Sequence, residues 1–148
     1  MDFHQEISVS EYQALAEFRY QLRRFLRFSE EAARAVGLEP QQHQLLLALK
    51  GLPEQRTATV GELAERLQIQ HHSAVELINR MVERDLIERS RDENDQRRVN
   101  VSLTENGDEV LRRLSLLHHE ELRTTGPALV YTLMALTDKG NSNGTRSK

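Results

Sequence analysis

The 148-residue sequence contains no cysteine and no tryptophan, and it has only seven glycines and three prolines. Without cysteine the chain can form no disulfide, no thiolate metal site, no iron–sulfur cluster and no thiol nucleophile or thiol-based oxidant sensor. The few glycines form no phosphate-binding loop, and no serine lies in a nucleophile elbow. We therefore expect a protein that is not an enzyme and that has no cofactor.

Long apolar runs are also missing from the sequence. No stretch of about 18 apolar residues is present, which argues against a membrane span, and the N-terminus lacks the basic-then-apolar layout of a secretory signal. The length is that of a single domain with its own hydrophobic core. We expect a single-domain protein in the cytoplasm.

Positive charge is scarce for a protein that binds nucleic acid. Lysine and arginine number 20 against 23 aspartates and glutamates, a formal net charge of -3. Domains that bind nucleic acid usually carry a basic excess. Any such function must therefore depend on where individual arginines lie.

Apolar residues spaced three and four apart predict a long first helix of about 25 residues. Ser8 and Glu11 have the spacing of a capping box, Ser10 is an alternative N-cap, and Gly37 provides a stop. A helix of this length exceeds what a small domain needs for its own core. We expect it to reach a partner.

Caps and breakers divide the rest of the helical pattern. A second helix is predicted over 40–51, Thr59 caps a short third helix, and Thr104 caps a later one. Gly126-Pro127 is expected to break that later helix into two. The tail, residues 138–148, has little to bury and is expected to be disordered.

The centre of the chain has the pattern of a helix-turn-helix followed by a hairpin. The short third helix, a tight turn and a helix over His71–Arg84 with a polar outer face give the first part. Leu86–Ser90 and Val99–Leu103 then alternate like strands, and the polar segment 91–98 between them is rich in turn-forming residues. The predicted fold class is therefore mainly α with a small β-hairpin wing, a winged helix-turn-helix.

The wing carries a family pattern. Asp95-Gln96-Arg97, Leu103-Thr104 and Gly107 resemble the Asp-x-Arg, Leu-Thr and Gly pattern of transcription factors of the MarR (multiple antibiotic resistance regulator) family. The resemblance covers essentially the whole chain. It implies that Arg97 enters the minor groove of DNA, where a narrow groove concentrates negative potential, and that Asp95 fixes its guanidinium.

The resemblance also implies a domain order and a dimer. The N-terminal dimerisation helix would be 1–36, the DNA-binding domain 37–104 and the C-terminal dimerisation helices 105–137. The homodimer would act as a repressor at a pseudopalindromic operator. The side chains expected to be buried between the two copies are Leu15, Phe18, Leu22, Leu114, Leu117, Leu129, Leu133 and Leu136.

The second helix of the helix-turn-helix, called the recognition helix, and the wing supply the predicted contacts to double-stranded DNA. In a helix-turn-helix the N-terminal residues of the second helix meet base edges in the major groove. Arg80 and Arg84 are better placed for phosphates, and Glu76 departs from the basic or neutral residue of many family members. The predicted DNA-binding residues are Gln70, His71, His72, Ser73, Val75, Glu76, Asn79, Arg80, Arg84, Arg91, Asp95, Arg97 and Arg98.

An effector site follows from the resemblance as well. A small aromatic or anionic ligand would be lined by Phe18, Arg19, Leu22, His43 and Leu47, and its binding would release the DNA. The alternative for His43 is an ordinary half-buried position on its helix.

The histidines do not have the spacing of a metal site. His71-His72 and His118-His119 are adjacent pairs that point apart on a helix. A zinc site would need His43, His118 or His119 and Glu120 to meet in space. We predict no metal.

A second function stays open. Residues 59–104 hold seven arginines and nine acids, and this local excess of negative charge favours a winged-helix module that binds a protein instead of DNA. Specific binding of a dimer to DNA would distinguish the regulator from the module.

Overall fold

The computed structural model describes residues 1, 3–53 and 57–138. The predicted disordered tail lies outside these residues except for Asp138. The chain is mainly helical with one small antiparallel sheet, as predicted. Its elements in order are α1 (Val9–Ala35), α2 (Pro40–Lys50), β1 (Ala58–Thr59), α3 (Val60–Leu67), α4 (His71–Glu83), β2 (Ile87–Arg91), β3 (Val99–Leu103) and α5 (Glu105–Thr137).

The predicted capping box at the start of α1 is present. The backbone N–H of Ser8 donates to Glu11 Oε2 at 2.7 Å, and the N–H of Glu11 donates to Ser8 Oγ at 3.2 Å. These two hydrogen bonds satisfy N–H groups that a helix start leaves free. Gly37 has a φ of 81°, the left-handed conformation that ends α1 at little steric cost.

Two threonines cap helices as predicted. Thr59 Oγ1 accepts the backbone N–H of Glu62 at 3.3 Å at the start of α3, and Thr104 Oγ1 accepts that of Gly107 at 3.0 Å at the start of α5. Both caps fix the direction in which the chain enters the helix. They place α3 and α5 directly next to strands β1 and β3.

The predicted break at Gly126-Pro127 is wrong, since α5 continues through Pro127 to Thr137. A proline inside a helix removes one hydrogen bond and crowds the preceding turn, but its fixed φ near −65° is itself helical. The helical φ of the proline therefore allows α5 to continue through it. Among the nearby polar groups, the hydroxyl of Thr125 donates to the carbonyl of Glu121 at 2.9 Å.

The sheet has the strand order β1-β3-β2. Strands β2 and β3 form the predicted hairpin, with Ile87 opposite Leu103 and Arg91 opposite Val99. No strand was predicted at β1, which pairs Ala58 with Val101. A two-residue strand leaves no alternation in the sequence, so it is visible only once β3 is in place.

The chain divides into two compact units, residues 29–118 and residues 1–28 with 119–148. In the first unit α2, α3, α4, the sheet and the start of α5 enclose the core. Leu114 belongs to this core, which corrects its predicted place between two copies of the chain. The largest fully buried side chains are Leu45, Leu46, Leu63, Ile78, Met81, Ile87, Val101 and Leu114.

The other unit exposes many apolar side chains along its described residues, 1, 3–28 and 119–138. Such side chains on a soluble surface usually mark an interaction site. The large exposed ones include Tyr12, Leu15, Tyr20, Leu26, Leu122, Val130, Tyr131, Leu133 and Met134. Within the described part of the chain, no helix has the length and apolar character needed to cross a membrane.

Candidate nucleic-acid interface

The α3–α4 turn directs one face of α4 to solvent. Gln68 ends α3 in the left-handed conformation with a φ of 54°, and two residues later Gln70 is the extended N-cap of α4. Apolar residues at helical spacing hold the inner face of α4 against the core, and these are Ala74, Leu77, Ile78 and Met81. The residues between them therefore face outward.

The outer face of α4 brings together most of the predicted base-reading residues. Ser73 and Asn79 are half-buried, and Val75 is 37% exposed. Gln70 does not cap the helix with its own side chain, so the first N–H groups of α4 stay available to an acceptor such as a phosphate oxygen. The exposed members of the predicted set on this face are Gln70, His71, His72, Val75, Glu76 and Arg80.

The wing tip is ordered by its own aspartates. Asp92 Oδ1 accepts the N–H of Asn94 at 2.8 Å, and Asp95 Oδ1 accepts the N–H of Arg97 at 3.0 Å. Asp95 thus holds the backbone of Arg97, whereas the sequence predicted that it fixes the guanidinium. Short aspartate side chains in turns commonly bond the backbone two residues ahead, which accounts for the difference. The hydrogen bond from Asn94 also lowers the pKa of Asp92.

The base of the wing is tied to the end of α4 and the start of α5. Asp85, with a φ of 56°, turns the chain from α4 into the sheet. Its carbonyl accepts the Thr104 hydroxyl at 2.6 Å and the Asn106 amide at 3.3 Å. Thr104 is part of the family pattern in the sequence, and in the structure Thr104 and Asn106 join the base of the wing to the end of α4.

The arginines of this unit differ in their partners. Arg80, Arg91 and Arg97 are exposed, and no carboxylate in the described ranges lies within 4.0 Å of their guanidinium groups. Arg84 is different, because its Nη1 donates to the Gln42 side-chain oxygen on α2 at 2.9 Å. The structure therefore leaves the wing and the middle of α4 with free cations.

Part of the local negative charge lines a groove at the base of the wing. Asp85 and Glu88 line a groove of about 620 Å³ at the base of the wing, together with Glu105 and Glu109 of α5. Glu109 pairs with Arg112 and Arg113, and its pKa falls to about 2 because both guanidinium groups donate to it. Of the nine acids in residues 59–104, Asp85 and Glu88 thus lie in this groove, whereas Glu76 and Glu83 belong to α4.

The predicted effector residues do not form one described site. Phe18, Arg19 and Leu22 belong to one unit, and His43 and Leu47 to the other. His43 is only 3% exposed, while the exposed Leu47 lines a groove of about 290 Å³ between α2 and α3. His43 is thus a buried core residue, and the effector site stays a prediction.

Two of the four side chains considered for zinc, His43 and His118, lie next to each other. The rings of His43 and His118 lie 5.0 Å apart. His118 Nδ1 donates to the Leu114 carbonyl at 2.6 Å, and its Nε2 faces Ser29 Oγ at 2.7 Å, so both ring nitrogens have partners. Burial, and secondarily the charge of His118, lowers the pKa of His43 to about 4. No group of three or more histidine or carboxylate side chains suited to a metal ion occurs among the described residues.

A helix-turn-helix completed by a three-stranded sheet with a β2–β3 hairpin is a winged-helix domain. Residues 36–98 match the model of the MarR family. This match covers less than half of the chain, and it shows that the central segment is similar to proteins of the MarR family.

A curated relative and two solved structures are also similar to this chain. The organic hydroperoxide resistance transcriptional regulator of Bacillus subtilis is 41% identical over 61 residues, which are 41% of this chain and 42% of that protein. The match thus spans less than half of the relative. AbsC, a MarR family transcriptional regulator from Streptomyces coelicolor, has a TM-score of 0.72 at 20% identity over 90% of this chain and 93% of its own.

A mutant of S. aureus MepR bound to an oligodeoxyribonucleotide has a TM-score of 0.65 at 20% identity, over 89% of this chain and 100% of its own. At this identity the two solved structures establish the fold alone, which is mainly helical with a winged helix-turn-helix. The predicted fold class is confirmed.

Proposed function

We propose that this protein is a transcriptional regulator that binds specific double-stranded DNA as a homodimer. One observation carries the proposal: the exposed face of α4 and a wing tip with free arginines belong to one winged-helix unit. Helix α4 has the place of a recognition helix, whose first turns read base edges in the major groove. Arg97 lies at the wing tip, the position from which an arginine can enter the minor groove.

The contacts on α4 divide by chemistry. Gln70 can pair with adenine, Val75 can touch a thymine methyl and Glu76 can accept from cytosine. Arg80, Arg91 and Arg98 are suited to phosphates, which position the protein without reading sequence. The half-buried Asn79 is the last residue of the helix expected to reach a base.

The homodimer is supported by the exposed apolar side chains of residues 3–28 and 119–138. Two copies related by a twofold axis would bury them and place two α4 helices on one DNA face. Half-sites about 10 bp apart follow from that symmetry. Binding of the dimer over a promoter would repress transcription in the cytoplasm.

Release by a small aromatic or anionic effector is part of the proposal. The sequence resemblance supports this release. The five predicted effector residues are divided between the two units, so the site that they would share stays a prediction. Since the chain has no cysteine, an oxidant could not act on it through a thiol.

The test is selection of binding sites from a random duplex pool by the full chain. The proposal predicts enrichment of a pseudopalindromic sequence that the dimer binds at least about a thousandfold more tightly than a scrambled duplex. Equal binding of the selected and scrambled duplexes would contradict it. No binding of either duplex at low salt would instead favour the protein-interaction module, which the acidic residues Glu76 and Glu83 on α4 support.

A further inference from the structure

A buried glutamine on α2 contacts the last turn of α4. The side chain of Gln42 is 5% exposed. Its Oε1 accepts the backbone N–H of Glu39 at 3.0 Å, which caps α2, and it also accepts Arg84 Nη1 at 2.9 Å. One amide oxygen thus joins the start of α2 to the end of α4. We propose that the Gln42–Arg84 hydrogen bond positions the recognition helix, and that Gln42 is thereby a positioning residue for DNA recognition.

The Gln42–Arg84 hydrogen bond is directional, whereas the apolar packing of α4 is not. The buried residues Ala74, Leu77, Ile78 and Met81 hold α4 on the core by apolar packing, which favours burial without fixing one angle. A charged hydrogen bond depends steeply on distance and angle. The Gln42–Arg84 contact therefore restricts how α4 is rotated and tilted on the core.

The position of the contact along α4 increases its effect. Arg84 is the C-cap of a 13-residue helix, so it lies about 20 Å from the base-reading end at a rise of 1.5 Å per residue. A small rotation at the C-terminal end displaces the N-terminal side chains by more than a hydrogen bond tolerates. The base contacts are expected to depend on the Gln42–Arg84 contact even though neither residue lies near them.

The guanidinium of Arg84 also lies close to the turn between α1 and α2. A Cβ built on Gly37 would lie 3.6 Å from Arg84 Nη2, so the guanidinium covers the turn between α1 and α2. No carboxylate in the described part of the chain lies within 4.0 Å of it. The phosphate contact predicted for Arg84 from the sequence stays a prediction, since the side chain is exposed and its other N–H groups can still donate. The proposal rests on the proposed function, because the quantity that it changes is sequence-specific DNA affinity.

The experiment compares variants on two probes, the duplex selected by the wild-type protein and a scrambled duplex of the same composition. Gln42→Leu and Arg84→Met are each expected to bind the selected duplex about tenfold more weakly. Their affinity for the scrambled duplex and the dependence of log affinity on log salt should stay at wild-type values. Combining both substitutions should weaken binding no further, because they remove the same hydrogen bond.

Two further variants separate positioning from a general loss of structure. Gln42→Glu keeps an oxygen that can accept both hydrogen bonds, and it should bind the selected duplex within about twofold of wild type. Gln41→Leu, an exposed glutamine on the same helix, should also bind normally. Urea unfolding of each variant checks that it is folded under the binding conditions. Arg84→Met removes no buried group, so it keeps the test valid if Gln42→Leu is unstable.

Direct phosphate contact by Arg84 would give a different pattern. Arg84→Met would then weaken binding to both duplexes and lower the salt slope by about 0.9 for each phosphate that is no longer neutralised, while Gln42→Leu would bind like wild type. That outcome overturns the positioning role. A wild-type protein that does not distinguish the two duplexes would instead overturn the proposed function, and the inference with it.

Discussion

Gly107 lies where α5 passes closest to the backbone that leads into β2. A Cβ at this position would stand 1.9 Å from the carbonyl oxygen of Leu86 and 3.3 Å from Leu103 Cδ2. The same carbonyl accepts the N–H of Thr104 at 3.1 Å. Only glycine therefore allows α5 to start this close to the wing base, which gives a physical reason for the Leu-Thr and Gly pattern.

Gly107→Ala is expected to destabilise the protein by at least about 2 kcal/mol, since the added methyl group meets backbone and not a movable side-chain end. Chemical denaturation measures the change in the free energy of unfolding. Gly61→Ala is the matched control, because no atom lies within 4 Å of a Cβ there and alanine favours helix. Equal stability of Gly107→Ala and wild type would show that α5 and the wing base are not packed as described.

His43 is a histidine kept neutral by its surroundings. It is buried in the core next to His118, and the lowering of its pKa to about 4 follows first from burial and then from its neighbour. Its ordinary pKa in the unfolded chain is about 6.5. Below that pH the unfolded chain therefore binds a proton that the folded chain does not.

The folded state is expected to lose stability as the pH falls from about 6.5 toward 4, by about 3 kcal/mol from this residue. Above pH 6.5 both states are neutral and the contribution is constant. Unfolding free energies of wild type and His43→Leu across this range test the sign, since the difference between them should shrink or reverse on acidification. A difference independent of pH would mean that His43 is accessible to protons in the folded chain.

At the scale of helices and strands, local signals in the sequence predicted most boundaries. Ser8, Thr59 and Thr104 each satisfy a helix start with their own side chains, and such bonds between near neighbours are visible in the sequence. Strand β1 and the Gln42–Arg84 contact were not predicted, because they join residues about 40 positions apart in the chain. The exposed residues of α4 were predictable from periodicity, whereas the partner of Asp95 required the turn geometry.

The continuity of α5 through Pro127 gives a prediction for this helix. Proline inside a helix costs up to about 3 kcal/mol, so Pro127→Ala should raise the free energy of unfolding, by about 1–3 kcal/mol. The rise should be accompanied by unchanged or slightly greater helicity in circular dichroism. A break at this position would give the opposite result, since alanine would then gain no hydrogen bond and stability would not increase.

At the scale of the whole molecule, recognition of a pseudopalindromic site requires two copies of the chain. Leu133 is 43% exposed and lies among other exposed apolar residues of α5. Leu133→Glu is expected to weaken the dimer at least about thirtyfold, because a charge without a partner would be buried between the copies. Sedimentation equilibrium measures the dissociation constant, with Gln41→Glu on α2 as a control for added charge. A monomeric wild-type protein at micromolar concentration would contradict the dimer.

In the proposed function α4 and the wing read DNA together, and a substitution of Arg97 tests this joint reading. The measurement is the affinity of wild type, Arg97→Ala and the control Arg123→Ala for the selected duplex at one salt concentration. Arg97→Ala should bind about 1–3 kcal/mol more weakly, with an unchanged oligomeric state, while Arg123→Ala, whose guanidinium pairs with Glu120, should bind normally. If Arg97→Ala binds the duplex as tightly as wild type, the wing does not contact DNA, and α4 and the wing do not read DNA together.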